Sequence, residues 1–122
     1  MNSLSGIFYE NYVSTELATR SYNLFYWKGK RNSEFEFILD IDSRIIPIEV
    51  IKSRGKLNSL EEFRQHNKKD VAIKVSSNQC GFDKNNLMLT IPFYYFSFFL
   101  DALKEGGSDY LDKLIESFNL SY

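Results

Sequence analysis

Apolar positions recur along the chain in two rhythms, and the switches between them predict the order of elements. From Ser5 to Arg20 a helical spacing puts Ile7, Phe8, Tyr12, Val13 and Leu17 on one side. Glu10, three residues after Ile7 and three before Val13, falls on or beside that apolar face. "NLFYWK" (23–28) is a short aromatic strand and "GKRNS" a turn. "EFEFILDI" then alternates strictly: Phe35, Phe37, Leu39 and Ile41 point one way, Glu34, Glu36, Ile38 and Asp40 the other. Asp42-Ser43 reads as a tight turn, and "RIIPIEVIK" returns as the next strand. "NSLEEF" carries Ser59 three residues before Glu62, a capping-box start to a short helix ending near Lys68-Lys69. "VAIKVS" and "LMLTI" are further strands. Pro92 marks the turn into an aromatic helix that stops at Gly106-Gly107. Ser108 or Asp109 can cap a last helix striped by Tyr110, Leu111, Leu114, Ile115 and Phe118.

The expected fold is therefore α/β. Three strands joined by short turns form an antiparallel meander, and the helix after them allows a right-handed crossover to a parallel strand. Flanking helices complete a central mixed sheet. At 122 residues the chain reads as one domain (1–122), with a core over 5–104 and an extra C-terminal helix over 108–120.

Composition narrows the function classes only a little. With 43% hydrophobic and 25% charged residues the chain belongs among ordinary globular proteins. "MNSLSGIFYENY" lacks the basic start and unbroken apolar stretch of a signal peptide, and "IPFYYFSFFL" is about half the length needed to cross a bilayer. A single cysteine, Cys80, in the loop-like stretch "SNQCGF", excludes an internal disulfide and fits a reducing cytoplasm. It reads as an unreactive structural thiol. The net charge of −1 argues against a generic nucleic-acid coat. Between Lys52 and Lys74, however, seven basic residues face only Glu61, Glu62 and Asp70. Such an excess suits phosphate, although a solvated surface is the commoner explanation.

Candidate chemistry lies in the carboxylates. If Asp42-Ser43 is a two-residue hairpin loop, Ile41 pairs with Arg44 and Glu36 falls opposite Glu49. Directly opposed like charges are destabilising unless they share a proton or hold a cation. Glu10, from the helix that must pack on this sheet, can supply a third carboxylate. The chemical reading is a magnesium or manganese site, where the ion activates water and neutralises charge in phosphodiester cleavage. The plainer reading is the wet face of a half-covered sheet.

Four segments in order, "GIFYENYVSTEL" (6–17), "LFYWKGKRNSEFEFILD" (24–40), "RIIPIEVIKSRGKLNSLEEF" (44–63) and "VAIKVS…LTIPFYYF" (71–96), carry a resemblance. The chain resembles the domain of unknown function found at the C-terminal end of prokaryotic AAA-type ATPases, which has the PD-(D/E)XK restriction-endonuclease-like fold. No Gly-rich Lys-Ser/Thr phosphate loop occurs, so the chain reads as a piece separated from its ATPase or as a stand-alone relative. The resemblance implies that Glu10, Glu36 and Glu49 hold Mg2+ or Mn2+. It also implies that a motif lysine, for which Lys52 is the candidate, orients water and steadies the phosphate.

Two departures weaken that site. Glu36 stands where the family has aspartate, one C–C bond of about 1.5 Å shorter. The E-x-K lysine position is Ile51. In a regular strand Lys52 points away from Glu49. A β-bulge at Val50-Ile51 returns Lys52 to the site, and Lys74 is a weaker candidate for a migrated lysine. Three functions remain. The first is a nuclease-like accessory domain with a weakened site, binding DNA or a partner such as the AAA-type ATPase module. The second is an active Mg-dependent DNA endonuclease or exonuclease. The third is a homodimerisation or docking module without DNA binding. His66 reads as a solvated helix-end histidine, and Trp27 and Tyr26 as core rather than base-stacking rings. The run Phe93–Phe99 is apolar on almost every side, which suits burial by a partner.

Overall fold

A computed structural model describes residues 3–23, 25–28, 34–50, 57–77 and 79–120; a few side chains within these ranges, Glu36 among them, lie outside the description. The described elements are helix α1 (Ser3–Thr19), strands β1 (Phe25–Lys28), β2 (Glu34–Ile41) and β3 (Arg44–Val50), helix α2 (Leu57–His66), strands β4 (Ala72–Ser76), β5 (Gly81–Asp83) and β6 (Met88–Pro92), and helix α3 (Phe93–Leu120). The strands form one mixed sheet in the order β1-β2-β3-β4-β6-β5. The first three are the expected antiparallel meander, β4 joins β3 in parallel after α2, and β6 lies parallel to β4.

The hairpin register is the one a two-residue loop demands. Asp42 (φ 51°) and Ser43 (φ 70°) are both left-handed, the signature of a type I′ turn whose twist matches the strands it joins. Asp40 Oδ1 accepts the Ser43 N–H at 3.0 Å. Pairing then runs from Ile41↔Arg44 to Phe37↔Ile48.

Strand alternation sorts the core into two unequal halves. Phe37 and Leu39 on β2, Ile46 and Ile48 on β3, Ile73 and Val75 on β4 and Leu89 and Ile91 on β6 face α1 and α3. There they meet Val13, Leu17, Phe96, Phe99 and Leu103, all at most 1% exposed. Each such side chain stabilises the fold by about 1.5–3 kcal/mol relative to leaving it in water, so this face dominates stability. The opposite face has a smaller cluster under α2: Ile38, Leu60, Phe63, Ala72 and Met88, with Trp27 packed at its edge. The Trp27 ring meets Phe63 edge-on at 5.2 Å, a core role as expected.

Four expectations need correction. Phe8 is 68% exposed rather than buried, because the sheet-facing stripe of α1 runs through Val13 and Leu17 and leaves Phe8 on the far side. Helix α2 begins at Leu57, so Ser59 sits inside the first turn instead of capping it. The loop-like "SNQCGF" ends in a short edge strand, Gly81–Asp83, paired with β6. Cys80 itself is exposed, with the thiol pushed up by partial desolvation, which keeps it poorly nucleophilic.

The last correction concerns Gly106-Gly107. The helix does not stop there but bends: Gly107 adopts φ 60°, ψ −145°, and helix resumes at once. Neither Ser108 nor Asp109 supplies the cap. The Ser108 N–H donates to Asp42 Oδ2 at 2.9 Å, so the hairpin turn caps the resumed helix from across the fold.

Candidate functional site

Three strands end together. Because β3, β4 and β6 are parallel, Val50, Ser76 and Pro92 define one carboxyl edge of the sheet, and Phe93 opens α3 immediately beyond it. Ligands of open α/β sheets characteristically bind outside this edge.

Glu49 lies one residue inside it. Its neighbours Ile48 and Val50 belong to the α1/α3 face, so by alternation Glu49 projects to the α2 side. Directly beside it in the β3–β4 ladder is Lys74, and beside Lys74 in the β4–β6 ladder is Thr90. Gly81 completes the row on β5, with nothing within 4 Å of where a Cβ would stand. Glu49, Lys74 and Thr90 are all half-buried. The α2 face is thus apolar where Ile38, Ala72 and Met88 meet the helix. One step nearer the carboxyl edge it becomes the polar row Glu49–Lys74–Thr90.

Lys74 makes no ion pair at contact distance among the described residues. Its charge contributes, as the smallest of several causes, to holding the exposed Asp83 carboxyl below its usual range. The hydrogen bonds Asp83 accepts from Asn86 and Asn85 contribute more.

The other expected site residues divide. Glu10 sits at the same end of the molecule, since Tyr9 stacks on Phe93 at 4.3 Å and the Tyr12 hydroxyl donates to the Phe93 carbonyl at 3.0 Å. It belongs to the α1 stripe of Val13 and Leu17, on the sheet face opposite to Glu49. The described ladder ends at Phe37↔Ile48, one step short of the expected Glu36–Glu49 pair, and the Glu36 side chain lies outside the described residues. Lys52 and the bulge at Val50-Ile51 concern residues 51–56, which also lie outside them. His66 ends α2, exposed. Among the described residues no three His, Cys, Asp or Glu side chains gather closely enough to hold a metal ion.

Among the described residues the basic stretch does not form one patch. Arg64 donates to the carbonyls of Asn86, Asp70 and Leu87 at 2.6, 2.8 and 2.9 Å, clamping α2 to the turn before β6. Burial lowers its pKa from the usual guanidinium value, and it faces protein, not phosphate. Lys68 and Lys69 are exposed beside Asp70, at the amino edge of the sheet, far from Lys74 in the row.

That amino edge carries a network of its own. Arg44 donates to both oxygens of Asp70 at 2.9 Å, and also to Ser108 Oγ at 2.7 Å and Asp112 at 2.9 Å. Bonding to Arg44 is the main reason the Asp70 carboxyl is held below the usual range, and the same pairing pushes Arg44 up. Nothing in the sequence announced this cluster, whose members lie 26 to 68 residues apart. Thr90 was likewise invisible until the β4–β6 register put it beside Lys74.

No helix among the described residues is long and apolar enough to cross a membrane. No curated protein and no solved structure matches the chain. The model of one family, a domain of unknown function (DUF4143), matches residues 5–94, which takes in α1, the meander, α2 and every strand of the sheet. The chain belongs to that family.

Proposed function

We propose that this chain is a nuclease-like accessory domain of the PD-(D/E)XK, restriction-endonuclease-like type, working with an AAA-type ATPase module and acting through DNA binding with little or no cleavage. The supporting observation is the Glu49–Lys74 neighbourhood at the carboxyl edge of the parallel strands. A carboxylate in that place suits a phosphodiester-handling site. The side chain next to it on the adjoining strand is an ammonium, however, which competes with a divalent cation for the same oxygens. The described donors therefore fit Mg2+ or Mn2+ poorly: Glu10, the third expected ligand, lies on the sheet face opposite to Glu49, and the Glu36 side chain lies outside the described residues. With Ile51 at the usual lysine position, transition-state charge also loses one donor, worth on the order of 100- to 1000-fold in rate.

The test is a cleavage assay on mixed DNA substrates with magnesium or manganese, run beside a binding titration at increasing salt. Salt-sensitive binding without metal-dependent cleavage is the expected result. Cleavage by the wild type that Glu49→Ala abolishes and Ile51→Lys stimulates would establish an active nuclease instead.

A second reading, docking of a second copy of this chain, is favoured by the outer surface of the α1/α3 layer. Phe8, Tyr94 and Phe98 are 68, 81 and 59% exposed there. At about 200 Å² per ring this leaves roughly 400 Å² of aromatic surface in water, summed over the three rings.

A further inference from the structure

Past Gly107, helix α3 becomes a separate piece resting on the rest of the fold. The backbone leaves helical geometry at Gly107 (φ 60°, ψ −145°), a conformation that glycine adopts without strain. Gly106 before it lets the resumed helix come close, since a Cβ there would stand 2.6 Å from Tyr110 Cβ. Two adjacent glycines at a break in a helix make a hinge with little resistance of its own. Residues 108–120 then hold on by two means. Their start is tied to the β2–β3 hairpin: Asp42 accepts the Ser108 N–H at 2.9 Å, and Arg44 donates to Ser108 Oγ and Asp112 at 2.7 and 2.9 Å. Their apolar stripe is shallowly seated. Leu111 is fully enclosed, but Leu114, Ile115 and Phe118 are half-buried, and Asp109, Asp112, Lys113 and Glu116 face water.

The closed arrangement also contains a conflict. Tyr110 sets its ring against Phe99, centroids 6.1 Å apart, and its hydroxyl is shut away from water with no hydrogen-bond partner among the described residues. Burial pushes the phenol up to about 12, so it stays protonated and keeps a donor to satisfy. A buried hydroxyl left in that state costs free energy that water returns as soon as the segment lifts. We propose that residues 108–120 are a strap that opens as a unit about Gly107, latched by Asp42 and Arg44 and kept poised by the orphaned Tyr110 hydroxyl. Opening withdraws Tyr110 from Phe99 and Leu111 from the core, next to Phe98 on α3, which is already 59% exposed. The closed strap thus fills an apolar groove of the chain with a segment of the same chain.

Hydrogen exchange of the full chain, followed residue by residue by NMR in rising urea, tests this. Amides of 112–119 should be at least about 10-fold less protected than those of 96–103. Their exchange should also depend less steeply on urea, because lifting the strap exposes less surface than global unfolding. Asp42→Ala should speed exchange in 112–119 by about 5-fold, through loss of one cap. Tyr110→Phe should slow it by about 5-fold, since the conflict goes while the ring stays. Ile38→Val, beneath α2 on the other face of the sheet, is the control. It destabilises the open and closed forms alike against the unfolded chain. Exchange at 96–103 should therefore rise by about 5-fold, while that at 112–119 stays as in wild type. The proposal is overturned if both stretches share one protection and one urea dependence, or if Ile38→Val speeds both. Exchange in 112–119 that Tyr110→Phe leaves unchanged or makes faster would overturn it as well.

Discussion

The two edges of the sheet use charge in opposite ways. At the amino edge of β3 and β4, Arg44 is ligated by Asp70, Asp112 and Ser108, while Asp42 caps the resumed helix through Ser108. Each group there holds another in place, and together they tie hairpin turn, β4 and α3 into one joint. At the carboxyl edge Glu49, Lys74 and Thr90 lie side by side in the ladders, yet no ion pair at contact distance joins Glu49 to Lys74. Charge that neutralises itself stabilises a fold; Lys74, which makes no ion pair among the described residues, is held by no such contact. The comparison predicts that substitutions at the first edge cost stability and those at the second cost function.

The largest effect should come from Arg44. Arg44→Met leaves the partly buried Asp70 and the more exposed Asp112 without their shared cation. About 3 kcal/mol should be lost, as when one member of a buried ion pair is removed. Calorimetry at neutral pH should show this as a fall in Tm of about 10 °C. Lys74→Gln and Glu49→Gln should stay within about 1 kcal/mol of wild type in the same measurement. Equal losses at both edges would erase the distinction.

Gly107 comes next. Its positive φ strains any residue with a Cβ, and a Cβ there would stand 2.8 Å from Asp42 Oδ2, the oxygen that caps the following helix. Gly107→Ala should cost about 2 kcal/mol, from backbone strain plus the displaced cap. Asp42→Ala should cost about 1 kcal/mol on its own, as loss of an N-cap does. The double variant should lose less than the sum of the two single losses, since the alanine methyl no longer meets a carboxylate. Strict additivity in urea titrations would show that the bend and the cap are independent.

How much of this was legible in the sequence depends on how far apart the cooperating residues lie. The meander, the two-residue turn and the register that carries Glu36 toward Glu49 follow from alternation and from Asp42-Ser43, all local signals. Periodicity alone also gave the crossover to β4. It misled at Phe8, because a helix with aromatic residues on several sides has no single apolar stripe, and only the packing of α1 against both the sheet and α3 decides which side faces out. The edge strand at Gly81–Asp83 is too short to alternate visibly. Of the candidate site, Glu10 and Glu49 were readable as residues, and the structure brings them to one end of the molecule. The partner that stands beside Glu49 was readable only as a lysine on a later strand. Its neighbourhood depends on the register of β3 against β4 and on the pairing of β6 with β4, which no local signal sets.

Acid should open the amino edge through a calculable sign. Asp70 has a folded-state pKa below the ordinary 3.8, chiefly because it accepts hydrogen bonds from Arg44. A carboxyl depressed in this way contributes stability that is complete above its unfolded value and lost as pH falls through the folded one. The Tm difference between wild type and Asp70→Asn should therefore be constant from neutral pH down to about pH 5 and shrink below pH 3.8. Asparagine keeps one oxygen for the Val71 N–H but turns an amide toward a donor of Arg44, so the variant loses one accepted bond together with the charge. A difference that persists unchanged to pH 2 would mean that shape, not charge, holds the joint.

The smallest effect is expected where the rings face water. Tyr94 and Phe98 lie one helical turn apart on α3 with most of their surface exposed, while Phe96, Phe99 and Leu100 between and beyond them are fully buried. Replacing both exposed rings by serine removes little that the folded monomer uses, and the change in stability should stay within about 0.5 kcal/mol per site. The informative measurement is sedimentation velocity over a hundredfold range of concentration. A wild type that dimerises and a double serine variant that does not would make the aromatic surface the working face of the molecule, setting it against the polar row behind the sheet. If both sediment as monomers, the aromatic surface plays no part in self-association.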